Sequence, residues 1–282
     1  MDKRYLSHLT AVFLVAGRGT RISKLTKNPK CLLKIKKKTL IELNIKKLIK
    51  FGVKHFVIVL GFKKKLIIDH LKVFKNEKKI NIKYIVNKSY ISKGNSHSLF
   101  LGLKNVNRGA CIFLDGDIVL HENALKNFIL YNKKNSALVG KGSIKDVECA
   151  KVFINKKNKI KYMIDKALAG KEILDNHSFL GEAIGLIKLD NNYRKKFITI
   201  LKEFLSKKKN YKKNWEKPLN EFMENYNLDY LYTKTKKWIE IDNKKDYEQA
   251  DNERWAFRLK ENRSFSNVTT YIDWAQSSDS MV

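Results

Sequence analysis

Apolar positions in the first half of the chain follow two alternating patterns. Near-continuous runs read as strands: "LTAVFLVA" (residues 9–16), "HFVIVLG" (55–61), "NIKYIVN" (81–87) and "ACIFLDGD" (110–117). The first two are apolar enough for strands buried on both faces. Between them lie segments with apolar residues at helical spacing: "TLIELNIKKLIKFG" (39–52), which stops at a glycine, "KKLIIDHLKVF" (64–74), "SHSLFLGLKNV" (96–106) and "ENALKNFILYN" (122–132). This alternation predicts an α/β fold with a doubly wound, mostly parallel sheet and right-handed crossovers.

The second half is more mixed. "ALVGKG", "ECAKVFIN" and "KIKYMID" read as short antiparallel strands, and "SFLGEAIGLIKLD" (178–190) as another strand. A long helix follows near 191–207 and a shorter one near 215–225. Strands at "LDYLYT" and "KWIEID" and a last helix from Asn243 complete the pattern. There is no repeat and no linker. Residues 1–262 therefore read as one domain, whose latter half is a small mixed α+β portion lidding the first. Residues 263–282 lose periodicity, become serine-rich and read as a tail.

Composition changes this picture little. At 282 residues and 43% hydrophobic, the chain can bury a substantial core. It has no apolar run of membrane-spanning length, and its start, "MDKRYLSHLT", is too polar for a signal peptide. A cytoplasmic protein is expected. Cys31, Cys111 and Cys149 are odd in number and widely spaced, which argues against a disulfide framework or a zinc site and for small buried hydrophobes. The net charge of +31 raises a nucleic-acid partner. However, the lysines are spread over the whole chain and arginine is scarce, so the charge reads as a lysine bias on exposed faces. It would still attract anionic small molecules such as nucleoside triphosphates.

The chemistry concentrates in a few stretches. In "FLVAGRGTRISKLTKNPKCLLKI" (13–35), Gly17 and Gly19 follow a buried strand, where glycine lets backbone N–H groups approach an anion. The pattern is not a dinucleotide fingerprint, since Ile22 takes the third glycine position, and it lacks the G-K-[ST] of a P-loop. "FLDGDIVL" places Asp115 and Asp117 at the carboxyl end of a strand, where open α/β sheets bind ligands and where a carboxylate pair suits Mg²⁺. "WIEIDNKKDYEQA" ends a late strand at Asp242. Asn243 caps the helix that follows, and Asp246 reads as a first-turn dipole partner. Taken alone, this last stretch is no more than a helix start.

The run A-G-R-G-T-R, followed by T-K-N-P-K-C-L-L-K-I, resembles the nucleotidyltransferase superfamily that makes sugar and alcohol nucleotides. Its first loop reads approximately L-A-A-G-x-G-T-R, then P-K. Val15 and Cys31 depart from that pattern without touching a charged role. The resemblance implies a Rossmann-like nucleotidyltransferase fold, with a nucleotide-binding half near 8–140 and an acceptor-binding half near 141–262. It implies that Ala16, Gly17, Gly19, Thr20 and Arg21 contact the triphosphate. Lys30 would reach the α-phosphate, with Lys30 and Arg21 as the catalytic cations. Asp117 and Asp242 would hold Mg²⁺, with Asp115 on the nucleotide. "SKGNSHSLFLGL" (92–103) resembles a base-binding segment, which assigns Asn95 and Ser98 to a pyrimidine. Gly61 in "VLGF" would pass its backbone near the base, a plain strand-ending glycine being the alternative. His97 reads as a surface histidine, because an anionic nucleophile needs no proton shuttle.

Two later stretches resemble the bacterial phosphocholine and phosphonate cytidylyltransferase branch. "SFLGEAIGLIKLD" matches its G-E-x-x-G-[IL] strand, and "NWEKPLNEFM" (214–223) its aromatic-acid helix. Glu182, Trp215 and Glu216 are thereby implied in acceptor binding, since an aromatic plus a carboxylate suits a cationic head group. Core packing for Trp215 and a structural salt bridge for Glu182 stay open. The resemblance covers most of 10–252, most strongly the first 120 residues. It implies Mg²⁺-dependent transfer of CMP from CTP to phosphocholine, giving CDP-choline and pyrophosphate. An aminoalkylphosphonate or another small phospho-compound is the close alternative, and a sugar-1-phosphate nucleotidyltransferase the next. The non-enzyme alternative is a basic nucleotide- or RNA-binding module. The expected partners are CTP and the acceptor, with no membrane and with a homodimer among the arrangements allowed.

Overall fold

The computed structural model describes residues 3–74, 80–107, 109–234 and 238–252; the expected tail lies outside them. A short helix, α1 (Lys3–His8), leads into β1 (Thr10–Val15), and a hairpin of β2 (Lys34–Ile35) and β3 (Lys38–Thr39) precedes α2 (Leu40–Lys50). The alternation then runs β4 (His55–Leu60), α3 (Lys64–Leu71), β5 (Asn81–Val86), α4 (Asn95–Lys104), β6 (Cys111–Asp115), β7 (Ile118–Leu120) and α5 (Glu122–Leu130). The second half comprises β8 (Ser136–Gly140), β9 (Lys151–Ile154), β10 (Ile160–Ile164), α6 (Lys171–Asn176), β11 (Ser178–Leu189) and α7 (Asn191–Ser206). It closes with α8 (Glu216–Asn225), β12 (Asp229–Thr233), β13 (Trp238–Glu240) and α9 (Lys244–Asn252).

Every position of β1 is buried. Ala11, Phe13 and Val15 pack into a core with Ile41, Ile45 and Leu48 of α2 and Phe128 of α5. Val12 and Leu14 pack on the opposite side with Leu99 and Leu103 of α4, Phe197 of α7 and Phe222 of α8. The period-2 alternation of a strand thus feeds two cores, which is why its sequence is continuously apolar. Strands β5, β4, β1 and β6 are parallel and adjacent in that order, as the alternation predicts.

Strand β11 then joins the two halves. Its carboxyl-terminal part pairs antiparallel with β6, its amino-terminal part with β9 on the same edge, and β8 takes the other edge. The result, among the described residues, is one mixed nine-stranded sheet in which β12 pairs parallel with β8. The register shifts within β11, and Gly185 there has φ +65°. A side chain at that position would meet Asp115 Oδ2 at 2.8 Å. The bulge therefore makes room for a carboxylate at the head of β6.

Two small pairings were not legible in the pattern, and one shapes the site. β13 runs antiparallel to β7, with Trp238 opposite Leu120 and Glu240 opposite Ile118. The ladder continues one step further, where Ile241 N–H donates to the Asp117 carbonyl. That register sets Asp242 beside Asp117. Three residues in β7, or six in the short helices α1 and α6, are too few for a periodic signal, so none of these could be read from spacing.

Candidate active site

The first half of the site is the glycine loop. β1 ends at Val15, and the chain turns through residues 16–19 into a single 3₁₀ turn, Thr20–Ile22. Gly19 sits at φ +62°, and a Cβ there would lie 3.2 Å from Lys30 Cβ. The second glycine thus supplies a left-handed turn and leaves space for the lysine stem, which ties the A-G-x-G stretch to the Pro-Lys pair. Pro29 precedes the 3₁₀ turn Lys30–Leu32. A cavity of about 260 Å³ is lined by Gly17, Gly19, Thr20, Arg21, Lys30 and Asp117 among others.

Lys30 is the centre of the arrangement. Its ammonium donates to Asp117 Oδ2 at 2.8 Å and to Asp242 Oδ1 at 2.7 Å. Asp242 also accepts from Arg21 at 2.6 Å and from Lys166 at 2.5 Å, both on Oδ2. Burial raises the cost of its charge, but Lys30 and Lys166 outweigh that and hold its carboxyl well below the usual range. Burial would likewise lower the pKa of Lys30, yet its two carboxylate partners raise it.

Glu240 completes an acidic group. One oxygen each from Asp117, Glu240 and Asp242 lie within 4.8 Å of one another. Burial and then the charges of Asp117 and Asp242 push Glu240 up to about 8. Asp117 Oδ1 is buried with no hydrogen-bond partner. All the donors are carboxylate oxygens, and one of them lacks a partner, so the set fits a hard divalent cation such as Mg²⁺.

A second cavity of about 210 Å³ adjoins the first and shares Arg21 and Asp117 with it. Its lining adds Asn95, Asp115, Asp165, Lys166, Trp215, Glu216 and Glu240. Asp115 is driven well above the carboxylate range, first by burial and then by Asp117 and Glu216. Its Oδ2 accepts from the Trp215 indole at 3.2 Å. Asn214 Nδ2 donates to Asp165 at 2.6 Å. Glu216 is 6% exposed, its Oε2 has no hydrogen-bond partner, and burial pushes its carboxyl up to about 8.

That last shift has a testable consequence. An unfolded chain releases the Glu216 proton near the ordinary value of 4.5, whereas the native protein keeps it to about 8. Between those values the native state binds more protons, so this residue's contribution to stability falls as pH rises. Glu216→Gln should make the melting temperature less dependent on pH across that window, by roughly 3 °C or more. Melting curves of both proteins at the two ends of the window measure it, and equal slopes would count against the shift.

The structure gathers the sequence-assigned residues unevenly. Gly17, Gly19, Thr20, Arg21, Lys30, Asp117 and Asp242 meet at one place, with Asp115 beside it. The three residues assigned to the base do not share a cavity. Asn95 faces the second cavity and accepts from the Trp215 backbone N–H at 2.9 Å. Ser98 is buried and accepts from Asn87 Nδ2 at 2.9 Å, while His97 Nδ1 lies 3.0 Å from Asn87 Oδ1. Gly61 borders an open depression with Asn87, Tyr90 and Lys63. A Cβ on Gly61 would approach the Ala16 carbonyl to 2.5 Å and Tyr90 Cγ to 2.7 Å. Ala16 itself is buried, its carbonyl accepting from Phe62 N–H at 3.0 Å.

Glu182 is half-buried in β11, paired in register with Lys151 and Gly140. Trp215 is 1% exposed, its ring edge-on to Phe113 at 5.5 Å between centroids. Of the two roles open to Trp215, the packing one accounts for its position. Glu240, Lys166 and Asn87 carry no assignment from the sequence. The E-I-D spacing could have revealed Glu240, because residues two apart on a strand share a face. Lys166 offered no signal in so lysine-rich a chain.

Comparisons with known proteins bear on the family and the fold. A choline-phosphate cytidylyltransferase of Streptococcus pneumoniae (strain ATCC BAA-255 / R6) is 32% identical over 120 residues, 42% of this chain and 49% of that protein. A 2-aminoethylphosphonate cytidylyltransferase of Lancefieldella rimae is 27% identical over 113 residues, 40% of this chain and 44% of that protein. The chain thus spans about half the length of these curated relatives. Among solved structures, the inositol-1-phosphate CTP transferase from T. maritima superposes with a TM-score of 0.67 at 22% identity, covering 85% of this chain and 93% of that one. The S. pneumoniae CTP:phosphocholine cytidylyltransferase gives 0.67 at 21%, covering 86% and 97%. These superpositions show the shared fold, a mostly parallel mixed sheet flanked by helices. The family model described as "Domain of unknown function (DUF6564)" matches residues 27–254, a stretch that takes in Lys30, Asp117 and Asp242. With most of its length matched, the chain belongs to the DUF6564 family, and its relatives and structural neighbours are nucleotidyltransferases.

Proposed function

We propose that this protein transfers CMP from CTP to the phosphate or phosphonate of a small acceptor with a cationic head group, phosphocholine or an aminoalkylphosphonate, releasing pyrophosphate. The observation that carries the reading is Lys30, set behind a glycine loop and bridging two aspartates at 2.8 and 2.7 Å. Nucleotidyl transfer needs positive charge where it grows on the phosphorus oxygens, and this arrangement stores that charge in place.

An acceptor oxygen attacks the α-phosphorus, forming a new P–O bond. The bond from that phosphorus to the bridging oxygen breaks, and pyrophosphate leaves with the electron pair. The nucleophile is already an anion, so no side chain has to take a proton. Gly17, Gly19 and Thr20 orient the triphosphate from the loop. Lys30 and Arg21 exchange their carboxylate partners for phosphate oxygens as the nucleotide enters. Asp117, Asp242 and Glu240 are the residues that would hold Mg²⁺, which when bound supplies further neutralisation of the phosphates. The second cavity, beside the first and sharing Arg21 and Asp117 with it, is the acceptor's place.

Pyrophosphate release over a matrix of the four common nucleoside triphosphates and a set of phosphorylated acceptors tests this. CTP with a small phosphorylated amine should give the fastest release. Faster release with a sugar 1-phosphate would move the protein to the sugar-nucleotide class. No release from any pair, together with RNA binding that weakens steeply with salt, would replace the enzyme with a binding module. Among the described residues no helix is long and apolar enough to cross a membrane.

A further inference from the structure

Resting on that reading, the second cavity goes further and bears on the acceptor's head group. Five carboxyl groups line it, those of Asp115, Asp117, Asp165, Glu216 and Glu240, in a chain whose net charge is +31. Four of them have partners, Asp117 accepting from Lys30 through Oδ2. Asp115 accepts from the Trp215 indole, Asp165 from Asn214, and Glu240 lies 3.6 Å from the Lys166 ammonium. Glu216 Oε2 has none, although the residue is 6% exposed. A buried carboxyl oxygen without a hydrogen-bond partner is costly, and a ligand that brings an N–H removes that cost on binding.

Aromatic character is the other half of the argument. Quaternary ammonium groups have no N–H and are held by the faces of aromatic rings. Among the described residues lining this cavity, Trp215 is the only aromatic one, and its ring is sealed at 1% exposure. Its ring packs edge-on with Phe113, and its indole N–H is committed to Asp115. Among the described residues, the lining thus offers almost no exposed aromatic surface. The wall offers hydrogen-bond acceptors and charge instead.

We infer that the acceptor carries a primary ammonium, which donates a hydrogen bond to Glu216 Oε2, so that the substrate class is a phosphorylated or phosphonylated primary amine and not a trimethylammonium compound. The carboxyl oxygens of Asp115 and Asp165 supply further acceptors around it. The size of the site agrees, because about 210 Å³ holds a two-carbon amine and its phosphoryl group.

The test compares phosphoethanolamine, 2-aminoethylphosphonate, phosphocholine and glycerol 1-phosphate with CTP and Mg²⁺, read as pyrophosphate release. The two primary amines should exceed phosphocholine in kcat/KM by roughly 100-fold, as expected for a site built around a donor its competitor lacks. Glu216→Leu, which removes both carboxyl oxygens, should take away most of that margin by slowing the primary amines more than phosphocholine. Calorimetric binding of phosphoethanolamine and phosphocholine to the wild-type protein, without nucleotide, gives an independent arm. If no pair releases pyrophosphate but phosphoethanolamine still binds selectively, the transfer reading fails and the head-group inference stands. Equal or better use of phosphocholine, preference for glycerol 1-phosphate, or binding of neither amine overturns it.

Discussion

Lys30→Ala should lower the rate of nucleotidyl transfer by about 10²–10³-fold or more while leaving the fold in place. The side chain is 13% exposed and stands between two carboxylates from distant parts of the chain. Removing it deletes the donor nearest to the expected position of the α-phosphate and leaves Asp117 and Asp242 facing each other without their shared cation. Lys30→Arg should not rescue, since a planar guanidinium cannot replace a compact ammonium between two oxygens. Asp117→Ala should fall in the same range. A second readout separates this from a general loss of stability. With the ammonium gone, the melting temperature of Lys30→Ala should rise more on adding Mg²⁺ than that of the wild type, because a divalent ion then neutralises the pair. Near-normal turnover in either variant would remove Lys30 or Asp117 from the site.

Trp215→Ala should cost about 3–5 kcal/mol of folding stability, measured by urea denaturation. The ring is among the largest fully buried side chains, and it packs edge-on against Phe113 of β6. It also donates to Asp115, so truncation leaves a buried carboxyl short of a donor as well as a void. Trp215→Phe should lose much less, since it keeps most of the volume and drops only the indole N–H. An acceptor-contacting ring would behave differently: its removal would raise the acceptor KM and leave the denaturation midpoint unmoved. The two outcomes cannot be confused, and the second would reverse the placement of Trp215 in the core.

Sequence and structure diverge in an instructive way at the acceptor end. The aromatic-acid helix "NWEKPLNEFM" suggested a ring and a carboxylate presented together. In the fold, Trp215 precedes α8 and Glu216 begins it, yet only Glu216 keeps an oxygen without a partner. Adjacent residues in a chain point in different directions, and which one meets the ligand depends on what packs against the helix. The same holds for the base segment, where Ser98 turned inward to Asn87 and Asn95 turned toward Trp215. Spacing placed both residues on one helical start but could not say what lay above it.

The local features were decided by the sequence alone. These are the buried parallel strands, the glycine loop with its Pro-Lys pair, and carboxylates at the ends of two strands. Each is a short-range matter of side-chain periodicity, backbone freedom at glycine or fixed φ at proline, and each is written within a few neighbouring positions. Tertiary structure decided everything that depends on distance along the chain. Lys30 meets Asp117 across 87 positions and Asp242 across 212. It does so because a three-residue strand, β13, pairs with β7 in one register and no other signal announces that pairing. The same register recruits Glu240, and a turn after β10 supplies Lys166. Charges separated so widely in sequence can neutralise one another only after packing has removed water from between them, and a one-dimensional pattern carries no record of that desolvation.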